Sequence, residues 1–118
     1  MNQSVIEKTS RYFKKSGITL PTLSELCNPS NIKEEITSKL KGIDKNAPDP
    51  LNLFRVHWFN NRTHNRFLEI PEHVVLPSEF TGVAAKIIVN IGRLFPLINA
   101  HKVLAAYGCL LPRILNGT

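Results

Sequence analysis

The sequence predicts an α/β fold, with an N-terminal helical layer followed by the start of an α/β unit. Three observations point to it. Capped helical segments fill residues 1–43, a nearly continuous branched run bounded by glycines occupies residues 85–91, and a helix-period segment follows over residues 100–111. Between these parts, residues 44–77 read as a linker and an extended segment, so the chain divides into 1–43, 44–77 and 78–118.

Each element follows from local chemistry. Ser4-Val5-Ile6-Glu7 fits a capping box, which opens a first helix with Lys14 and Lys15 late, where the dipole favours cations, and with Gly17 free to take a left-handed C-terminal position. Thr22-Leu23-Ser24-Glu25 repeats the box for a short helix stopped by Asn28-Pro29. Ile32, Ile36 and Leu40 recur at helical spacing, and Gly42 ends that third helix. Asn46, Pro48, Asp49 and Pro50 cannot propagate a helix. Residues 53–59, aromatic and branched, suggest a strand, with turn chemistry at Asn60 to Thr63 and a broken extended stretch over 67–76. Ser78 and Glu79 suggest one helical turn. The run around Ile87 to Ile91 has the composition of a buried strand. Asn99 is a favoured N-cap for the last helix, which Pro112 should kink or end.

A chain of 118 residues allows one domain, and 42% hydrophobic against 20% charged residues is a globular balance, not that of a disordered tail. The net charge of +6 brings anionic partners into consideration. After Glu79, however, there is no carboxylate and the cations Lys86, Arg93, Lys102 and Arg113 stand singly in apolar sequence, unlike a duplex-binding face. Cys27 and Cys109 read as free thiols of a reducing compartment, Cys109 as a small core residue. No apolar run approaches the roughly 20 residues that span a bilayer, and no secretory leader is evident, so a cytoplasmic location without membrane contact is expected.

Lys102 is the residue with the most chemistry to offer. If Asn99 caps the helix, Lys102 sits in the first turn, where the dipole and an apolar setting of Ile98, Val103 and Leu104 both favour its neutral, nucleophilic amine. Composition and spacing alone equally describe a lysine that snorkels from a helix end to solvent, and this is the plainer reading. The order of the segment adds weight to the first. Ser78-Glu79-Phe80-Thr81-Gly82-Val83-Ala84-Ala85-Lys86-Ile87-Ile88-Val89, a connector, then Asn99-Ala100-His101-Lys102 opening an apolar helix, resembles the cofactor-lysine region of the tryptophan synthase β-chain-like superfamily, the fold-type II pyridoxal-phosphate enzymes. Residues 49–54 and 71–77 are similar to the lead-in of a cysteine-synthase-like branch.

The resemblance implies that Lys102 holds pyridoxal phosphate as a Schiff base, that His101 lies beside the cofactor phosphate, and that Asn99 belongs to the same cofactor-binding turn. The implied fold is the first strands and cofactor-lysine helix of a fold-type II enzyme, incomplete. The implied activity is β-elimination or β-replacement on an amino-acid substrate, of lyase or synthase type, in a homodimer when full-length. Asn90 to Pro96 departs from tryptophan synthase and speaks against tryptophan formation. The Ser/Thr-Gly-Asn loop and Gly-rich phosphate cup of the family fall beyond the lysine helix, so the expectation is an N-terminal piece, a fragment or truncated reading frame, without useful turnover alone.

Other constellations are weaker. His57, His64, His73 and His101 lack metal-ligand spacing, and no metal is expected. No nucleophile elbow, Walker loop or Rossmann fingerprint occurs. Arg55, His57, Trp58, Arg62, His64 and Arg66 interleave basic and aromatic side chains, which supports an alternative non-enzymatic module binding single-stranded nucleic acid through Arg55, Arg62 and Arg66. Phe54, Val56, Trp58 and Phe67 are more simply the inward face of a strand.

Overall fold

A computed structural model describes residues 2–117, a mixture of helices and one small antiparallel sheet. Helix α1, Gln3–Ser16, starts before the expected cap: Asn2 is the N-cap, and its Oδ1 accepts from the Ser4 N–H at 3.2 Å, so Ser4 lies inside the helix. Gly17 takes the left-handed C-terminal position with φ 67°. Helix α2, Leu23–Cys27, has the full capping box, with the Glu25 N–H donating to Thr22 Oγ1 at 3.1 Å and the Thr22 N–H to Glu25 Oε2 at 2.8 Å. Asn28 ends it, and Pro29–Asn31 adds a 3₁₀ turn. Helix α3, Glu34–Leu40, begins after Ile32, and both Ile32 and Leu40 are buried against Phe54.

The strand expected over residues 53–59 does not form. Pro50–Arg55 is a 3₁₀ helix instead, opened by Asp49, whose Oδ1 accepts the Leu51 N–H at 2.8 Å. The reason lies in the polar side chains of this stretch. Asn52, Arg55, His57 and Asn60 are all buried and supply hydrogen bonds that a neighbouring strand would otherwise provide. Asn52 Nδ2 donates to the Asp44 and Ala47 carbonyls at 2.8 and 2.9 Å, folding the presumed linker onto the core. Asn60 Nδ2 donates to the Arg55 carbonyl at 2.8 Å. Phe54 then enters one apolar cluster, with Ile32 and Leu40, and Val56 the other, with Leu26, Phe95 and Tyr107.

Strands β1, His73–Leu76, and β2, Ile87–Asn90, pair antiparallel from His73↔Asn90 to Leu76↔Ile87. Between them lies the single turn expected at Ser78, helix α4, Ser78–Thr81, closed by Gly82 at φ 71°. The apolar run is therefore a strand but not a buried one: Val74, Val75, Ile88 and Val89 are all exposed, because among the described residues no element covers either face of the two-stranded ribbon. A 3₁₀ turn, Gly92–Leu94, leads to buried Phe95 and Pro96. The last helix, α5, Lys102–Asn116, runs through Pro112 without ending there. Proline removes one helix bond, while buried Tyr107, partly buried Leu111 and the left-handed Gly117 hold the helix on both sides of it. Cys27 and Cys109 are free and exposed, so Cys109 lies on the outer face of α5 and not in the core.

The core cluster of Leu26, Val56, Phe95 and Tyr107 draws on all three segments of the chain. The Tyr107 hydroxyl donates to the Pro21 carbonyl at 2.7 Å, linking α5 to the loop before α2. Helix α1 packs along α5. Among the described residues no helix is long and apolar enough to cross a membrane.

Candidate functional site

Asn99, His101 and Lys102 are brought to one place by the connector that leaves β2. Buried Phe95 anchors it, Leu97 follows at φ 69°, and Asn99 is left-handed at φ 54°. Asn99 does not cap the helix, because its side chain has another engagement: its Oδ1 accepts from Lys45 Nζ. His101 therefore occupies the cap position, without a side-chain cap bond. Helix α5 begins at Lys102, which is its first residue and not its third.

The surroundings of these residues differ from expectation too. Val103 and Leu104 turn toward the core cluster, Ile98 is exposed, and the Lys102 side chain is itself exposed, so the apolar enclosure anticipated around its amine is not present. The His101 ring stacks on Trp58, centroids 5.5 Å apart and planes at 22°, and Trp58 meets Phe95 edge-on at 4.9 Å. This aromatic ladder fixes the direction of the imidazole next to Lys102.

Beside Asn99 lies a basic cleft of about 480 Å³ bordered by Lys45, Arg62, His64, Arg93, Leu94 and Asn99. Lys45 is its clasp. Nζ donates to the Arg93 carbonyl at 2.9 Å, and the Lys45 carbonyl accepts the Leu97 N–H at 3.0 Å. Burial, together with the cation of Arg93, holds the Lys45 pKa below its ordinary value against the opposing pull of Asp44. His64 Nε2 lies 2.9 Å from the Leu94 carbonyl, and burial, with Lys45 and Arg55 nearby, pushes its pKa down as well. Lys45, in a stretch read as linker, and Arg93 had no motif to mark them, since the contacts that join Lys45 to the Arg93 carbonyl and to Asn99 span 48 and 54 positions.

The basic and aromatic stretch is divided by the fold. Arg55 and His57 are 1% exposed, so neither reaches a nucleic-acid strand, whereas Arg66 is exposed and Arg62 is exposed beside Glu72 at 3.5 Å. Among the described residues no group of three or more His, Cys, Asp or Glu side chains converges to hold a metal ion. No family model, curated protein or solved structure matches the chain.

Proposed function

We propose that this chain is the N-terminal portion of a pyridoxal-phosphate-dependent enzyme that acts on an amino acid by β-elimination or β-replacement, with Lys102 as the covalent attachment point. The observation that carries the reading is an order of parts: β2, a connector, then Asn99, His101 and Lys102 opening an apolar helix, with the amine of Lys102 open to an aldehyde. The cofactor, when bound, supplies an electron sink for a carbanion at the amino-acid α-carbon.

The side chains present fit one part of that group. Lys102 offers the accessible primary amine, and the imidazole of His101, held against Trp58, offers a hydrogen bond on the same turn. A phosphate dianion needs several converging donors, and the cleft that Asn99 borders includes neither Lys102 nor His101. The fit therefore covers covalent attachment and orientation, not enclosure, and no turnover is expected from residues 2–117 acting alone.

The surface supports a part of a larger fold. The chain exposes 8110 Å², whereas a compact monomer of 13.3 kDa exposes about 6,450 Å². The test is to incubate the protein with pyridoxal phosphate, reduce with borohydride and map the modified peptides. Preferential labelling of Lys102 over the other lysines, abolished in Lys102→Ala, is the expected result. No label, or equal labelling of Lys102 and the lysines of α1, would sink the reading.

A further inference from the structure

We propose that the cleft between Lys45, Arg62, Arg93 and Asn99 is a binding site for the phosphate of a small phosphate monoester, built from residues other than Lys102. Its donors border one concavity and are only partly spent. Lys45 uses two of its three N–H groups on the Arg93 carbonyl and Asn99 Oδ1, leaving one. Asn99, its oxygen occupied, has its amide N–H groups to give. The guanidinium of Arg93 is exposed and has no carboxylate within ion-pair distance among the described residues, and that of Arg62 reaches Glu72 only at 3.5 Å.

The charge is unbalanced in one direction. Among the described residues no carboxylate borders the cleft. Glu72 touches Arg62 from outside it, and Asp44, next to Lys45, turns Oδ1 to the Asn46 N–H at 2.8 Å. Beneath the cleft, buried Arg55 donates to the His64 carbonyl at 2.8 Å and adds a further cation. Three cations bordering one concavity, with a single carboxylate shared at its rim, match a dianion better than a carboxylate monoanion.

Two more features separate a built site from a chance cluster. The three non-glycine residues with positive φ among the described residues are His64, Leu97 and Asn99. Two border the cleft, and the third is held by the Lys45 carbonyl. Strained backbone of this kind persists where the surrounding structure fixes it, commonly at ligand sites. The arrangement favours a small ligand: the cations border one open concavity, whereas a nucleic-acid backbone is tracked by cations spaced along a groove.

The experiment titrates the full 118-residue chain with inorganic phosphate at constant ionic strength, chloride making up the balance, and follows heat of binding and Tm. Saturable phosphate binding with a rise in Tm is expected, weakened about tenfold or more in Arg62→Gln/Arg93→Gln, whose exposed positions leave folding intact, and unchanged in Lys8→Gln/Lys14→Gln on α1. Lys102→Ala should keep phosphate binding and should bind pyridoxal phosphate but not pyridoxal, which separates a phosphate site from attachment at the lysine. A negative labelling result at Lys102 thus leaves this site standing. Phosphate no better than chloride, equal loss in the α1 variant, insensitivity to Arg62→Gln/Arg93→Gln, loss in Lys102→Ala, or displacement by a single-stranded oligonucleotide at lower concentration than by a phosphate monoester would each overturn it.

Discussion

Arg55 carries a charge in the interior without a direct ion pair among the described residues, Asp44 acting on it only at longer range, and its neighbours show how that is tolerated. One guanidinium nitrogen donates to the Ile43 carbonyl and Asn52 Oδ1, both at 2.8 Å, and another to the Leu40 and His64 carbonyls at 2.7 and 2.8 Å. Carbonyl dipoles replace a counter-ion, and a planar fork serves them where an ammonium would not. His57, two residues on, is buried in the opposite sense, as a neutral ring. Its Nδ1 accepts the Phe59 N–H at 3.1 Å, Phe67 meets it edge-on at 4.5 Å, and burial lowers its pKa from 6.5 to about 3. The unfolded chain therefore takes up a proton near pH 6.5 that the folded chain refuses until about pH 3. This contribution to stability is complete above pH 6.5 and is lost as pH falls through that window, with an upper bound of about 5 kcal/mol. Urea unfolding between pH 7 and 4 should show the loss, and His57→Gln should flatten it; a wild-type profile no steeper than that of the variant would contradict a buried neutral His57. Neither residue was readable as interior from the sequence. Both sit in an alternation of basic and aromatic types that an exposed surface would also show, and only the carbonyls of distant segments reveal their role.

Among elements, most of the readable ones were those that local bonds determine, although the equally local box at Ser4–Glu7 gave way to a cap at Asn2. The Thr22–Glu25 box and the left-handed Gly17 concern four or five consecutive residues, and the chain forms them as expected. The strand sought over residues 53–59 and the cap sought at Asn99 failed for the opposite reason. Their outcome depends on Asp44, Ala47 and Lys45, whose approach no local pattern encodes. The meeting of α1 and α5 is similarly non-local and tests directly. Gly117 closes α5 at φ 71°, and a Cβ there would lie 2.8 Å from Val5 Cγ1 and 3.2 Å from Cγ2. Val5 is β-branched and has few rotamers with which to retreat. At Gly17, also left-handed, an added Cβ meets nothing within 4 Å. Gly17→Ala should therefore cost about 1 kcal/mol from backbone strain alone, and Gly117→Ala about 2 to 3 kcal/mol because displacement of α1 is added. Urea unfolding of the two variants decides it, and equal losses would mean that the N-terminus of α1 does not rest on the end of α5.

At the scale of the molecule, the chain is more extended than its length requires. The radius of gyration is 17.1 Å, against about 13.5 Å for a compact domain of this length. Much of the added surface is apolar: both faces of the β1–β2 ribbon, with Phe80 and Val83 between the strands, and Ile98 beyond them. The composition of residues 85–91 belongs to strands covered on both sides, and a lone two-stranded ribbon is marginal in water. The strand was thus readable but its exposure was not, since burial depends on partners that the pattern anticipates and residues 2–117 do not supply. An open apolar ribbon with two free edges favours association. Val75 and Ile88 are cross-strand partners on one face, 44% and 53% exposed. The isolated chain should bind a dye selective for apolar surface and sediment as larger species with rising concentration. Val75→Lys/Ile88→Lys should reduce both while leaving Tm within a few degrees, because neither side chain contributes to the buried clusters. If the unsubstituted chain stayed monomeric and bound no dye, the ribbon would have to be covered by other parts of the chain in solution, and the excess surface would lose its support for a larger fold.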